Sequence, residues 1–394
     1  MKVQPRFIVL ISLLLTVYAA LNFYIGWHIA EWSAAVGIGY SPCAFWIPFA
    51  LLAYGFVLGR VPLPSPLKPI GRLLKVAGSV YIFVMEIGLL LFLLADAIRL
   101  VLWLSIGVAE AYIIGSGSIV LGLIVVLLLI GSRNAWSPII RSHELPIDKP
   151  VDGGKAEWTI AVASDIHLGN LVGRKHLRRL VERINAMKPD LILLPGDVID
   201  DSIEPYLRNR MGEVLGQLQA KHGVYAVLGN HEYYGGHIDQ YVKEMKSLGI
   251  RVLQDETAEI DGKLYVVGRK DKTAEASGAD GRLAVRDLLK AADLRKPVVL
   301  MDHQPTQFAK AAEAGADVLL SGHTHRGQFW PNHLFTRRLF ELDWGYMRKD
   351  AMHVVVSSGF GSWGPPVRLG SRSEIIRLKL VLLKSKKVVH KNDR

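Results

Sequence analysis

The chain has 394 residues, half of them apolar, a formal net charge of +11 and a single cysteine. That length allows more than one domain, and one cysteine, Cys43, excludes a disulfide framework and a cysteine metal cluster. The positive balance suits anionic head groups or phosphorylated substrates, and equally a basic solvated face.

The apolar residues are concentrated in the first third. Four runs, at about 7–27, 43–58, 77–98 and 112–130, are expected to be membrane helices, which need about 20 residues each. The second is the shortest and carries Pro48, which is expected to bend it. Trp27, Trp32, Tyr40, Trp103, Tyr112 and Trp136 sit near the ends of runs, where amphipathic rings favour the interface. The first run is longer than a signal-peptide core and no small-x-small cleavage site closes it, so a retained helix is expected. Glu86 lies mid-way along the third run and Asp96 near its end; a carboxylate at that depth is costly and suggests either a function or a protonated acid bonded between helices. Val61–Pro69 is Pro-rich and reads as a stiff connector. Lys2 and Arg6, the group Arg60, Lys68, Arg72 and Lys75, and then Arg133 and Arg141 mark one side of the bilayer. The positive-inside rule makes that side, both termini and the C-terminal domain cytoplasmic. The expected location is therefore a cell membrane, with a multi-pass domain over 1–140.

Residues 141–157 contain Pro146, Pro150, Gly153 and Gly154 among charges and read as a linker or extended lead-in. Beyond it the chain alternates strands and helices over 158–383, and a basic tail occupies 384–394. Expected strands are Trp158–Ala163, Pro189–Leu194, Val224–Leu228, Pro297–Met301 and Ala316–Leu320, with two further β-rich runs at Arg251–Ile260 and Lys263–Val267. Expected helices are Gly173–Met187, Ile238–Leu248, Leu283–Ala292 and Thr306–Ala314. This alternation argues for a layered α/β domain, whose ligands bind beyond the C-terminal ends of strands.

The polar residues collect at those ends. The first strand leads into Asp165 and His167, the second into Gly196-Asp197, the third into Gly229-Asn230-His231-Glu232, the fourth into Asp302-His303, and the fifth into Gly322-His323-Thr324-His325. In extended backbone, Asp165 and His167 would face one object. Asp165, His167, Asp197, Asn230, His303, His323 and His325 supply seven nitrogen and oxygen donors at five strand tips, a pattern that points to a two-metal centre. Asp197 is placed to bridge, and His231 to donate a proton. Arg174 lies nearest the first metal loop and is a candidate phosphate contact. Asp302 and Glu232 are candidates for orienting the histidine ligands or for purely structural roles.

The order Asp-x-His, Gly-Asp, Gly-Asn-His-Glu, His, Gly-His-x-His resembles the calcineurin-like metallophosphoesterase superfamily over about 155–383. Gly322–Gln328 and Ser357–Arg368 resemble its membrane-associated bacterial branch. The resemblance implies a four-layer α/β/β/α sandwich, here preceded by a four-helix transmembrane domain. It implies one metal on Asp165, His167, Asp197 and His325, and a second on Asp197, Asn230, His303 and His323. His231 would protonate the leaving oxygen or stabilise the phosphoryl group. The cofactors would be two divalent ions, Mn, Fe or Zn, and the activity hydrolysis of a phosphate mono- or diester by metal-activated hydroxide. Arg326 departs from the family, where Gly is commoner, and adds a cation near the substrate. The expected partners are the lipid bilayer and a phosphorylated small molecule or lipid. No regular basic-aromatic track for nucleic acid is present, so a nuclease is a weaker alternative. A non-catalytic metal-binding membrane sensor or scaffold is the alternative from another class; it predicts missing ligands, and none is missing. A transporter built on the four helices has thinner support.

Overall fold

A computed structural model describes residues 5–61, 63–106, 110–149, 157–276 and 281–382. The chain divides into two compact units, Met1–Ser132 and Arg133–Arg394. The expected tail over 384–394 and part of the expected linker, 150–156, lie outside the described residues.

The first unit is helical. Ile8–Ala35, Ser65–Leu104 and Glu110–Trp136 are long and apolar enough to cross a membrane. The second apolar run is different: Pro42–Ala53 is followed by a break at Tyr54 and a single turn, Gly55–Leu58. Among the described residues, three helices therefore have spanning length where the sequence offered four runs. The 12-residue helix passes through Pro48, so the proline is not what ends it. The interruption coincides with an unusually close approach to the Lys68–Ile106 helix. A Cβ on Gly55 would lie 2.9 Å from the Leu74 carbonyl oxygen, and one on Gly78 would overlap the Phe56 backbone nitrogen. Gly55 and Gly59 form a small-x-x-x-small pair, which lets helices meet backbone to backbone where lipid gives no hydrophobic drive. The third helix begins at Lys68, so Lys68, Arg72 and Lys75 extend it rather than forming a loop. Asp96, for which the sequence disclosed no partner, accepts a hydrogen bond from Tyr24 Oη at 2.6 Å and lies 3.2 Å from His28 Nε2.

Among its described residues the second unit holds twelve strands. They are β1 (Ile139–Ile147), β2 (Glu157–Val162), β3 (Leu191–Pro195), β4 (Val224–Val227), β5 (Ile250–Val252), β6 (Glu256–Ile260), β7 (Leu264–Gly268), β8 (Val298–Met301), β9 (Val318–Ser321), β10 (Gly345–Lys349), β11 (Met352–Val356) and β12 (Glu374–Leu382). One six-stranded sheet runs β1-β12-β2-β3-β4-β5 and the other β10-β11-β9-β8-β7-β6. Side-chain alternation creates the layers. Trp158, Ile160 and Val162 of β2, with Leu191 and Leu193 of β3, pack between the sheets against Val299, Met301, Val318, Leu320 and Val355. Ile192 and Leu194, facing the other way, pack on Leu177, Leu180, Val181 and Ile184 of the Arg174–Ala186 helix. Val298, Leu300 and Leu319 cover the opposite outer face, with Val285, Leu288, Phe308 and Ala311. The result is helix, sheet, sheet, helix, as the resemblance implied.

Several elements differ from expectation. Arg141–Ile147, most of the described part of the expected linker, is strand: β1 pairs in parallel with β12 and ends the sheet. An edge position accommodates Pro146, which cannot complete a central ladder. The single β-rich run Arg251–Ile260 is two strands in two sheets, β5 and β6, with the chain crossing between them. Strands β10, β11 and β12 were not anticipated.

Replacing Gly78 by Val would force the short helical turn off the Lys68–Ile106 helix. We expect a lower melting temperature and a loss of monodisperse protein in detergent, read by size-exclusion chromatography and thermal unfolding, with Gly115→Val, in open space, as the tolerated control.

Candidate metal centre

The loops after the strand tips converge. Asp165, His167 and His325 bring ligand atoms within 4.8 Å of one another, and so do Asp197, His303 and His323. His167 Nε2 and His325 Nε2 are 2.9 Å apart. Asn230 Oδ1 lies 2.7 Å from His323 Nδ1 and 3.1 Å from His303 Nε2. Asp197 Oδ2 stands between the groups, 3.1 Å from His303 Nε2 and 3.9 Å from His167 Nε2. All seven residues named from the sequence are thus brought together. The extended-backbone argument for Asp165 and His167 does not hold, however. Both are left-handed, with φ near +51° and +52°, as are Asp197, His323 and His325. Non-glycine residues rarely adopt this region, and such strain collects at functional sites.

Close neighbours enforce the turns. A Cβ on Gly229 would overlap Asp197 Oδ1, and one on Gly322 would overlap Asp165 Oδ2. The loops are also stitched by hydrogen bonds. His323 N donates to Asp165 Oδ1 at 2.8 Å, and His231 N donates to Asp197 Oδ1 at 2.9 Å. Glu232 does not touch a histidine ligand. Its carboxylate accepts from the backbone N–H groups of Asp197, Ile199 and Gly229, so it clamps two metal loops together. Asp302 likewise turns away from the ligands, toward Arg269 at 3.0 Å and Arg282 at 3.2 Å.

Burial sets the charge states. It lowers His167 to about 3, helped by the neighbouring His231. It holds His325 and His323 below the ordinary imidazole range, so these rings are neutral. Burial alone would raise Asp197, but His303 and the other imidazoles outweigh it and keep the carboxylate ionised. His303 moves the opposite way: burial opposes protonation, and the Asp197 charge overcomes it. His303 Nδ1–H donates to Pro195 O at 2.8 Å, which fixes the ring and directs Nε2 inward.

His231 stands beside the donor set, against His167. Its ring stands perpendicular to that of His167 with centroids 4.6 Å apart, and Nδ1–H donates to Asp201 Oδ1 at 2.7 Å. Burial disfavours its protonation, but the Asp201 hydrogen bond and the carboxylates of Asp197, Asp201 and Asp200 raise it to about 9. Sequence reasoning missed Asp201. It quoted Arg368 as the end of the Ser357–Arg368 motif but gave it no role; the structure shows a fully buried guanidinium whose Nη2–H donates to His325 Nδ1 at 3.2 Å. The Gly196-Asp197-Val-Ile-Asp200-Asp201 run was a usable signal for Asp201; for Arg368 the motif marked the residue, but its partner lies 43 residues away.

Two arginines named from the sequence are engaged elsewhere. Arg174 donates to the carbonyls of Asn209 and Arg210 and pairs with Glu213 at 3.1 Å, so it organises a surface loop. Arg326 stacks 4.0 Å over the Trp344 ring and donates to Gly370 O. Its φ is +52°, followed by +68° at Gly327, which is why glycine suits this position.

The donor set fits divalent metals. It is nitrogen and oxygen only, it includes neutral imidazoles, and Asp165 Oδ2 is buried without a normal hydrogen bond. A further group, His167, Asp200 and His231, is close enough to hold an ion, although Asp201 engages His231 Nδ1. The family model for calcineurin-like phosphoesterases matches residues 159–327. An uncharacterized metallophosphoesterase of Aquifex aeolicus is 32% identical over 232 residues, 58% of this chain and 86% of that protein. The chain belongs to the calcineurin-like metallophosphoesterase family. Relatives of this metallophosphoesterase include a transmembrane protein with metallophosphoesterase domain from Danio rerio, 31% identical over 68% of this chain and 64% of that protein. The bovine protein of the same name is 32% identical over 65% of this chain and 60% of its own length. The chain thus spans about six tenths of these two relatives.

Asp197 touches both donor groups, so Asp197→Asn is expected to cut bound metal by half or more. Elemental analysis of detergent-purified protein checks this, with Arg174→Gln expected to retain the wild-type metal content.

Proposed function

We propose that this protein is a membrane-anchored phosphoesterase with two divalent metal ions, hydrolysing a phosphate mono- or diester. One ion would be held by Asp165, His167, Asp197 and His325, the other by Asp197, Asn230, His303 and His323. The observation that carries this reading is the position of Asp197 Oδ2 between His303 Nε2 and His167 Nε2, a single carboxylate shared by two donor groups. Bound cations would supply Lewis-acid stabilisation of the phosphoryl oxygens and lower the pKa of the attacking water. Mn, Fe and Zn all suit the donors.

The chain's own residues do the rest. Asn230 contributes a neutral oxygen, which leaves its ion less neutralised than a carboxylate would. His231 holds its proton at neutral pH because Asp201 accepts from Nδ1, so Nε2–H is free to protonate the leaving oxygen. Its raised pKa gives the sign of the pH effect: the acid form is present below that value and is lost as pH rises through it.

Hydrolysis of paired chromogenic phosphate mono- and diesters by detergent-purified protein with Mn tests the reading. We expect turnover in wild type and a loss of roughly 10²–10⁴-fold in His231→Gln. In Asp201→Asn the alkaline limb of kcat/KM should move to lower pH. Wild-type inactivity with metal bound would instead favour a sensor or scaffold. The Lys and Arg balance of the short loops supports a cytoplasmic catalytic unit. Protease added outside intact cells is therefore expected to leave residues 150–394 uncut.

A further inference from the structure

The His333–Leu339 helix has no buried residue. Leu339 and Phe335 are 77% and 67% exposed, the highest values for large apolar side chains among the described residues of the second unit. Leu334, Trp330 and Trp363 are also about half exposed, and Arg337 and Arg338 are exposed beside them. A cluster of exposed leucine and aromatic side chains with adjacent arginines is not an ordinary monomer surface. It has the composition of a segment that lies in a membrane interface, with rings and leucines in the head-group region and arginines on anionic lipid.

Hydrogen bonds within the second unit tie the loops of this face together. Trp330 N donates to Leu369 O at 3.0 Å, and Gln328 holds both the backbone N–H and the carbonyl of Trp363, so the two tryptophans share one pair of loops. That loop pair receives the end of the Glu110–Trp136 helix. Asn134 Nδ2 donates to Arg368 O at 3.1 Å, Ser373 N donates to Asn134 O, and Arg372 donates to Ser137 O. The apolar run of this helix ends at Ile130. At about 1.5 Å per residue, Asn134 lies roughly 6 Å along the helix from that end. The loop pair is therefore bonded to residues that follow closely on an apolar run.

The same segment borders the metal centre. Phe340, which follows the helix, has its ring 6.2 Å from that of His323. Asp343 accepts from Thr336 Oγ1 through its side chain and from Thr324 Oγ1 through its backbone, which ties the helix to the Gly-His-Thr-His loop. On the other side, Gly361 N donates to Asp165 O at 2.8 Å.

We propose that the face formed by Trp330, Leu334, Phe335, Leu339 and Trp363 docks on the bilayer surface and presents the metal centre to phosphoesters carried by lipids. The substrate class rests on the phosphoesterase reading; the docking does not. Tethering raises the effective concentration of the face at the membrane, so weak insertion suffices to hold it there.

The test uses the full chain with Cys43→Ser, reconstituted in vesicles of phosphatidylcholine and phosphatidylglycerol. An environment-sensitive fluorophore is placed at Leu334→Cys or Leu339→Cys, with Lys310→Cys as the exposed reference site. Emission at the two helix sites should move to shorter wavelength and be quenched by spin-labelled lipid, and the reference site should do neither. Emission matching the reference overturns the proposal, as does a shift that depends on protein concentration and is insensitive to the lipid quencher, which would mean contact with a second copy. In parallel, Leu334→Ser/Phe335→Ser/Leu339→Ser should lower hydrolysis of vesicle-borne phosphatidic acid or phosphatidylglycerol roughly tenfold and leave a soluble chromogenic ester unaffected. Equal loss on both substrates, or on neither, counts against the presentation of lipid esters. Wild-type inactivity on every ester would sink the phosphoesterase reading and with it the lipid-ester substrate class, while the fluorescence arm still decides docking.

Discussion

Asp197 is a carboxylate buried among three imidazoles, and the surrounding loops are arranged to tolerate that charge. A desolvated carboxylate is expensive unless it is paired and hydrogen-bonded. His303 supplies the nearest charge partner, and the His231 backbone N–H satisfies Oδ1. The loop that carries Asp197 is fixed by Glu232, which accepts from the backbone on both sides of it and from Gly229. The same burial that makes Asp197 costly keeps His167, His323 and His325 neutral. Exclusion of water from the strand tips keeps those rings uncharged, and the imidazoles around Asp197, working against burial, keep its carboxylate ionised.

The sandwich provides that exclusion. Its sheets are buried on both faces, so their strands are short apolar runs and polar chemistry is displaced to the ends. Left-handed turns at Asp165, His167, Asp197, His323 and His325 then bend the chain back over the sheet edge. Glycines at 229 and 322 are required because the neighbouring carboxylates occupy the space of a side chain. Arg368, reaching from the loop before β12, adds a buried cation behind His325 and links the centre to the segment that accepts the end of the last long helix.

Within the second unit, Asn134 and Ser137 bond to Arg368, Ser373 and Arg372, on the loop pair that carries the exposed tryptophans. Close glycine packing within the helical unit serves a different need, since lipid gives no hydrophobic drive for helices to associate.

The sequence by itself determined the apolar runs, the strand-helix alternation and all seven donor residues. Each depends on local composition: length of apolar run, period of side chains, and polar residues directly after a strand. Only the tertiary structure decided how those parts are used. The second apolar run is interrupted where it meets Gly78, a contact between segments more than 20 residues apart. The run Arg251–Ile260 divides between two sheets because its halves pair with different strands, a choice made by β4 and β7. Arg174 and Arg326 are plausible by position, yet each is consumed by a carbonyl or a ring that sequence distance hides. Asp201, Glu232 and Arg368 act through hydrogen bonds across 30 or more residues, so local pattern can mark the residues but not their partners.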